Sequence, residues 1–293
     1  MIALILPIFR FRKEQQMIGV KLVATDLDGT FLRNDRSISP ANLEALEKLG
    51  ERQIIRVAAT GRNLKKVQDV IDPEIPFDYI VFSSGAGVFN WKKKEHIYSQ
   101  NITRESAAKL LTYLVDRQLN FHAFYPVPEN HMHFYFRGAE PCEEFERYFE
   151  FNKAHATEIE VHTLPNGELC QFLVILKEDE TQFRMLKSSI EGLCPEIRVI
   201  RASSPITKGY IWLEVFHRKV SKGNGVLEVC QRHGISPEQT LGVGNDYNDF
   251  DMLEMTQHSF LTKNAPEEIK GRFEQAPSNE EDAFAELVKP LLE

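Results

Sequence analysis

Val23-Ala24-Thr25-Asp26-Leu27-Asp28-Gly29-Thr30 is the stretch that decides how this chain is read. An apolar run closes on two carboxylates spaced Asp-x-Asp, followed by Gly-Thr. A continuous apolar run of that length is the signature of a parallel strand buried on both faces. Open α/β sheets place their ligand sites at the carboxyl ends of such strands. Two acids at one edge repel each other unless a cation or a proton lies between them. The pair therefore points to chemistry rather than to a solvated turn.

Working outward, Val20 to Thr25 reads as the first strand. Ser39-Pro40 opens a helix, with Ser as cap and Pro in the first turn. Leu43, Leu46 and Leu49 give that helix an apolar side, and Gly50 ends it. Ile54 to Ala59 reads as a second buried strand ending at Thr60-Gly61-Arg62. Tyr79 to Phe82 is a third, ending at Ser83-Ser84-Gly85-Ala86-Gly87. Strand and helix alternate at βαβ spacing, which predicts a mainly parallel sheet.

The rhythm changes from about Val88 to Phe216. Strand-like pieces without regular crossovers, with helices near 104–117, 143–151 and 178–190, suggest α+β and a separate, inserted domain. The α/β pattern resumes at Ser221-Lys222-Gly223. Thr240 to Gly244 is a buried strand leading into Asn245-Asp246-Tyr247-Asn248-Asp249. A short strand at Ser259 to Leu261 and two helices are expected to finish the chain. The expected domains are an N-terminal extension (1–17), an α/β core (18–87 and 217–293) and an inserted domain (88–216).

Composition narrows the functional classes. A formal charge of -8 argues against nonspecific binding to nucleic acid or anionic lipid, which recruit Lys and Arg. Met1 to Phe9 is apolar, but too short to span a bilayer. Its charges (Arg10, Arg12, Lys13) follow it, the reverse of a signal peptide. Met17 stands just before the first strand, so the preceding residues read as a loose extension or as the product of an upstream start codon. Cys142, Cys170, Cys194 and Cys230 form no Cys-x-x-Cys pair, which excludes zinc-ribbon and thioredoxin readings and fits a reducing cytoplasm. His131 and His133 alternate onto one sheet face with Tyr135. With His122, they read as lining an exposed or cleft-facing surface rather than a metal site. Phe121, Phe124, Phe134 and Phe136 read as inserted-domain core.

Four segments fall at strand ends or helix starts of the same expected sheet: Asp26-Leu27-Asp28, Thr60-Gly61-Arg62, Lys222, and Asn245 to Asp249. They supply a carboxylate nucleophile, a second acid, a hydroxyl donor, a cation and oxygen ligands. That is the set phosphoryl transfer needs, because an anionic nucleophile approaches a phosphoryl group only with cations and donors around it. Magnesium prefers such oxygen ligands and uses few carboxylates.

In these motifs, their order and their spacing, the chain resembles the haloacid dehalogenase superfamily of phosphatases, in its Cof-type branch with a large α/β cap. The resemblance runs over roughly Val20 to Glu293. It implies a Rossmann-like core with the inserted domain as a C2-type cap, closing over the site to exclude water and choose the leaving group. It implies Asp26 as nucleophile forming an aspartyl-phosphate, and Asp28 as acid and then base, with its main-chain carbonyl on Mg2+. Thr60, Gly61, Lys222 and Asn248 would hold the phosphate, and Asp249 would support the metal site or Lys222. One departure stands out: Asn245 occupies the place of a metal-ligating Asp. Asn245, Asp246 and Asp249 all remain open as ligands. Ser84 replaces an Asn common in related chains, and Arg62 is read either as a surface or capping side chain or as a substrate contact.

The resulting expectation is a magnesium-dependent phosphatase of small phosphorylated metabolites, sugar phosphates first. It would be cytoplasmic, monomeric or weakly homodimeric, with no nucleic-acid or membrane partner. Two rivals are carried: a phosphomutase using the same intermediate, and a catalytically weak phosphosugar-binding regulatory module, which Asn245 motivates. A receiver domain is far shorter, and its motif order does not fit.

Overall fold

The computed structural model describes residues 17, 19–204 and 206–293. Apart from Met17, the N-terminal extension lies outside the described residues. The chain divides into two compact units, residues up to Tyr98 with Ser221–Glu293, and Ser99–Val220.

The first unit is built on an eight-stranded sheet. Its strands, numbered along the chain, are β1 (Leu22–Thr25), β2 (Ile55–Ala59), β3 (Tyr79–Phe82), β4 (Gly87–Asn90), β5 (Glu95–Ser99), β12 (Thr240–Gly244), β13 (His258–Thr262) and β14 (Glu274–Ala276). Their order is β14-β13-β12-β1-β2-β3-β4-β5. β1 pairs in parallel with both β12 and β2, and β2 with β3. From β1 the chain moves outward through β2 and β3, and later returns on the other side at β12. The crevice at β1 is therefore a topological switch point, where sheets of this kind bind ligands.

Apolar side chains hold this sheet on both faces. Leu22, Ala24, Val57, Ala59 and Val81 pack with Val226, Val229 and Met252. Phe31 packs edge-on against Phe77 and Phe284. Each such Leu, Val or Phe contributes about 1.5–3 kcal/mol on full burial. Arg56, an apparent intruder in β2, is buried but forked onto Asp78, with Nε and Nη2 at 2.8 and 3.0 Å from its oxygens. The helix Pro40–Glu51 starts as its sequence predicts, the Ser39 side chain accepting from Asn42 N at 3.1 Å.

Two features differ from the sequence reading. The hairpin of β4 and β5 extends the first sheet beyond β3, so the division falls after Tyr98 rather than at 87/88, and after Val220 rather than at 216/217. The chain also ends on one α-helix, Ala283–Leu292, preceded by β14, rather than on two helices. Glu274-Gln275-Ala276 carries no apolar alternation. It becomes a strand because its backbone completes the edge beside Phe260, Leu261 and Thr262.

The second unit holds a six-stranded sheet in the order β10-β11-β9-β6-β7-β8. The strands are β6 (Phe121–Phe124), β7 (His133–Phe136), β8 (Ala156–Glu158), β9 (Gln171–Lys177), β10 (Ile197–Ser203) and β11 (Tyr210–His217). The helices Arg104–Asp116 and Glu180–Leu193 cover one face, burying Phe121, Ala123, Phe136, Phe172, Val174 and Leu213. Phe134 joins that core partly buried, whereas Phe124 alternates onto the other face beside His133.

That second face is not open at His122 and His133, which corrects the expectation of an exposed or cleft-facing surface. Both are buried. The helix Glu143–Asn152 lays Phe145 and Tyr148 on His122, each with ring centroids at 4.6 Å. Among the described residues, neither His122 ring nitrogen has a hydrogen-bond partner. Burial, reinforced by His133 and Arg137, holds the His122 imidazole well below its ordinary range. The unfolded chain therefore takes up this proton near pH 6.5 while the folded chain does not, and stability falls as pH drops below that value. One such group sets a slope of up to about 1.4 kcal/mol per pH unit. Asp26 and Glu214, whose carboxyls burial pushes up to about 7, act in the opposite sense over the same range, so the test is a difference between parent and variant. In urea unfolding followed by tryptophan fluorescence at pH 7 and pH 5, His122→Phe, which keeps the ring stacking, is expected to lose less stability on acidification than the parent; an equal change in the two would remove His122 as a contributor.

Candidate active site

The parallel strands β1, β2, β3 and β12 deliver their carboxyl ends to one edge. Asp26 follows β1, Thr60 follows β2, Ser83 follows β3 and Asn245 follows β12. Lys222 is the first residue of the helix Lys222–His233, whose cap is Ser221. A lysine there opposes the helix dipole, so its position must be maintained by other charges. Two glycines allow the close approaches that place it and its partner Asp249. A Cβ on Gly85 would lie 1.9 Å from the Ser221 carbonyl oxygen, and one on Gly244 would lie 2.5 Å from Asp249 Cγ.

The Lys222 ammonium is buried and reaches Asp26 Oδ1 at 2.7 Å and Asp249 Oδ1 at 2.6 Å. Asn248 Oδ1 lies 3.4 Å from it. Burial alone would lower the Lys222 pKa, but Asp249 and Asp26 together hold it above the ordinary lysine range. Asp26 is shifted too. Burial pushes its carboxyl up to about 7, with Asp249 and Asp28 adding to the rise against the pull of Lys222. The site is thus short of positive charge. Three carboxylates (Asp26, Asp28, Asp249) face two cations (Lys222, Arg62) before any anionic ligand arrives.

Asp28 is half-exposed and is gripped by Arg62, with Nε and Nη2 each donating at 2.7 Å to its two oxygens. This bidentate fork settles where Arg62 goes: onto Asp28, rather than to a solvated surface or a helix cap. Thr60 is buried, and its Oγ1 accepts from Arg62 N at 3.1 Å, which leaves the hydroxyl proton free to donate elsewhere.

Asn245 sits at the centre of the acid pair. Oriented to satisfy its neighbours, its amide nitrogen donates to Asp26 Oδ2 at 3.2 Å, the Asp28 carbonyl oxygen at 3.1 Å and Thr30 Oγ1 at 3.3 Å. Turning the amide over would set three oxygens, from Asp26, Asp28 and Asn245, around one point. That donor set suits a hard divalent cation. Among the described residues, no three His, Cys, Asp or Glu side chains gather as a metal site. The oxygen set here relies instead on a main-chain carbonyl and an amide.

The other two candidate ligands are placed differently. Asp249 is buried and both its oxygens are engaged, Oδ1 by Lys222 and Oδ2 by Asn245 N at 2.8 Å and Asp246 N at 3.0 Å. Asp246 is exposed and its carboxylate accepts from Tyr247 N at 2.7 Å.

Sequence reading passed over two contributors. Thr30, inside the decisive motif, touches Asn245 at 3.3 Å, and Asn264 donates to the Gly29 carbonyl oxygen at 2.8 Å. Asn264 follows β13, and in sequence it resembles an ordinary turn residue. The Ser83-Ser84 turn also carries strain, with φ of 50° and 55°. Left-handed backbone costs an L-residue roughly 1–2 kcal/mol.

The model of the family described as haloacid dehalogenase-like hydrolase matches residues 23–288. Among curated relatives, the phosphatase YwpJ of Bacillus subtilis is 24% identical over 293 residues, covering 93% of this chain and 100% of that one. The HMP-PP phosphatase of Klebsiella pneumoniae is 24% identical over 250 residues, covering 85% of this chain and 86% of its own. Among solved structures, the HAD subclass IIB sugar phosphatase BT4131 shares the fold, with a TM-score of 0.70 at 19% identity, over 93% of this chain and 99% of the other.

Proposed function

The chain belongs to the haloacid dehalogenase-like hydrolases and is a phosphatase; we propose that it hydrolyses small phosphate monoesters, sugar phosphates first, with Mg2+ and through a phosphorylated Asp26. The observation that carries this reading is the division of labour at Asp26. One oxygen is held by Lys222, and the other faces the Asn245 amide, which also reaches the Asp28 carbonyl. The sugar phosphatase and HMP-PP phosphatase among its relatives support a small, phosphorylated substrate.

In this reading Asp26, the Asp28 carbonyl and Asn245 hold the cation, which supplies positive charge against the phosphoryl oxygens. Lys222, fixed by Asp249, neutralises the same group, while Thr60, Gly61 and Asn248 offer it hydrogen bonds. An Asp26 oxygen attacks phosphorus, the ester P–O bond breaks, and Asp28 gives its proton to the leaving oxygen. Water then attacks the same phosphorus, Asp28 takes the water's proton, and the Asp26 carboxylate is released with phosphate. Arg62 must open its fork before Asp28 can carry a proton. The incoming ester provides the alternative anion for that guanidinium. Asp249 and Asp246 act as supports of Lys222 and of the 245–249 turn, not as ligands.

Phosphate release across sugar phosphates, nucleotides and cofactor phosphates, with and without Mg2+, tests the proposal. Release that requires Mg2+ is expected; no release from any ester would leave the binding-module alternative standing.

Asn245→Asp separates the ligand role from the rest. A fourth carboxylate, 3.2 Å from Asp26 Oδ2, would repel it in the metal-free protein and attract the cation. The thermal midpoint is expected to fall without Mg2+ and rise with it, and Mg2+ affinity to tighten roughly tenfold. A titration unchanged from the parent would place position 245 outside the coordination sphere.

A further inference from the structure

From Ile80 to Trp91 every residue is buried except Ser84. That one side chain is held out by an unfavourable backbone, left-handed at both Ser83 and Ser84. Glycine would adopt it without cost. The turn is pinned by Ser83 N donating to the Arg62 carbonyl oxygen at 2.8 Å and Ser84 N donating to the Thr60 carbonyl oxygen at 3.0 Å. It stands the Ser84 hydroxyl over Gly61. Ser84 Oγ is 3.6 Å from where a Gly61 Cβ would be, and Asn248 Nδ2 is 3.9 Å from the same point. The Ser84 hydroxyl has no hydrogen-bond partner among the described residues. Strain that exposes an uncommitted polar group beside an active site indicates a functional demand on that group.

We propose that Ser84 determines specificity by hydrogen-bonding the first polar group of the ester's alcohol portion. The inference rests on the phosphatase reading above and adds a residue to it. Strand spacing decides between the phosphoryl group and what it carries. β2 neighbours β1 and β3 is one strand further out, at about 4.8 Å per strand. A phosphoryl group at Asp26 meets donors at the end of β2. A donor at the end of β3 meets the next atoms outward. A hydroxyl both donates and accepts, which suits a polyol.

The test compares two esters, the most active polyol phosphate of the panel and p-nitrophenyl phosphate, which lacks a hydroxyl. Ser84→Ala removes the hydroxyl, and Ser84→Gly removes the hydroxyl together with the strain at position 84, leaving that at Ser83. Both variants are expected to lower the ratio of kcat/KM, polyol ester over p-nitrophenyl ester, by about tenfold. Ser84→Gly should melt no lower than the parent, so its loss cannot be a folding defect. An unchanged ratio, or an equal fall on both esters with weaker inhibition by inorganic phosphate, overturns the assignment. If the parent cleaves neither ester, the catalytic reading fails by itself. Calorimetric binding of the polyol phosphate then decides Ser84, and equal affinity in parent and Ser84→Ala rejects it.

Discussion

Asp26→Asn is expected to reduce phosphate release by about 10⁴-fold or more while the protein stays folded. The substitution keeps the shape of the side chain and removes only its capacity to attack phosphorus as an anion. The fold survives because the native carboxylate is itself a burden. It is buried, its carboxyl is pushed up to about 7, and Asp249 and Asp28 repel it. Lys222 keeps Asp249 at 2.6 Å after the change, so the buried ammonium retains one counter-charge. Phosphate release and a thermal melt on the same preparation check both halves. A well-folded variant with substantial turnover would remove Asp26 as the nucleophile.

Lys222→Met is expected to damage stability as well as activity. It leaves Asp26 and Asp249 buried and facing each other without their shared cation. Breaking a buried ion pair from one side costs about 3–5 kcal/mol. A solvated surface lysine would change stability by no more than about 0.5 kcal/mol. Denaturant unfolding with and without the substitution tells these apart. The two sites are coupled through one hydrogen-bonded pair, so Asp26→Asn combined with Lys222→Met should cost less than the sum of the single changes. Strict additivity would mean that the contact contributes nothing.

The strands that carry the site were legible because their signal is local. Tyr79 to Phe82 and Thr240 to Gly244 appear in the structure with the bounds their apolar runs predict. Ser39 and Ser221 cap the helices they precede, since an N-cap is a property of a few consecutive residues. The haloacid dehalogenase assignment likewise followed from residues near each other in sequence, four short motifs in a fixed order. β14 was missed because an edge strand is made by its neighbour's backbone. His122 and His133 were misplaced because alternation names a face but not the helix that will cover it.

Sequence alone determined the parallel α/β core, the family, and the chemical types at each strand end, because burial and turn formation act over a few residues. Only the tertiary structure decided how those groups share their hydrogen bonds. Arg62 takes Asp28, Asp249 spends both oxygens on Lys222 and the turn that precedes it, and Asn245 faces Asp26. Side chains as far apart as Asp26 and Lys222, separated by 196 positions, choose partners only after packing has excluded water and set their distances. From then on each polar group must be satisfied by whichever neighbour the fold has brought within reach.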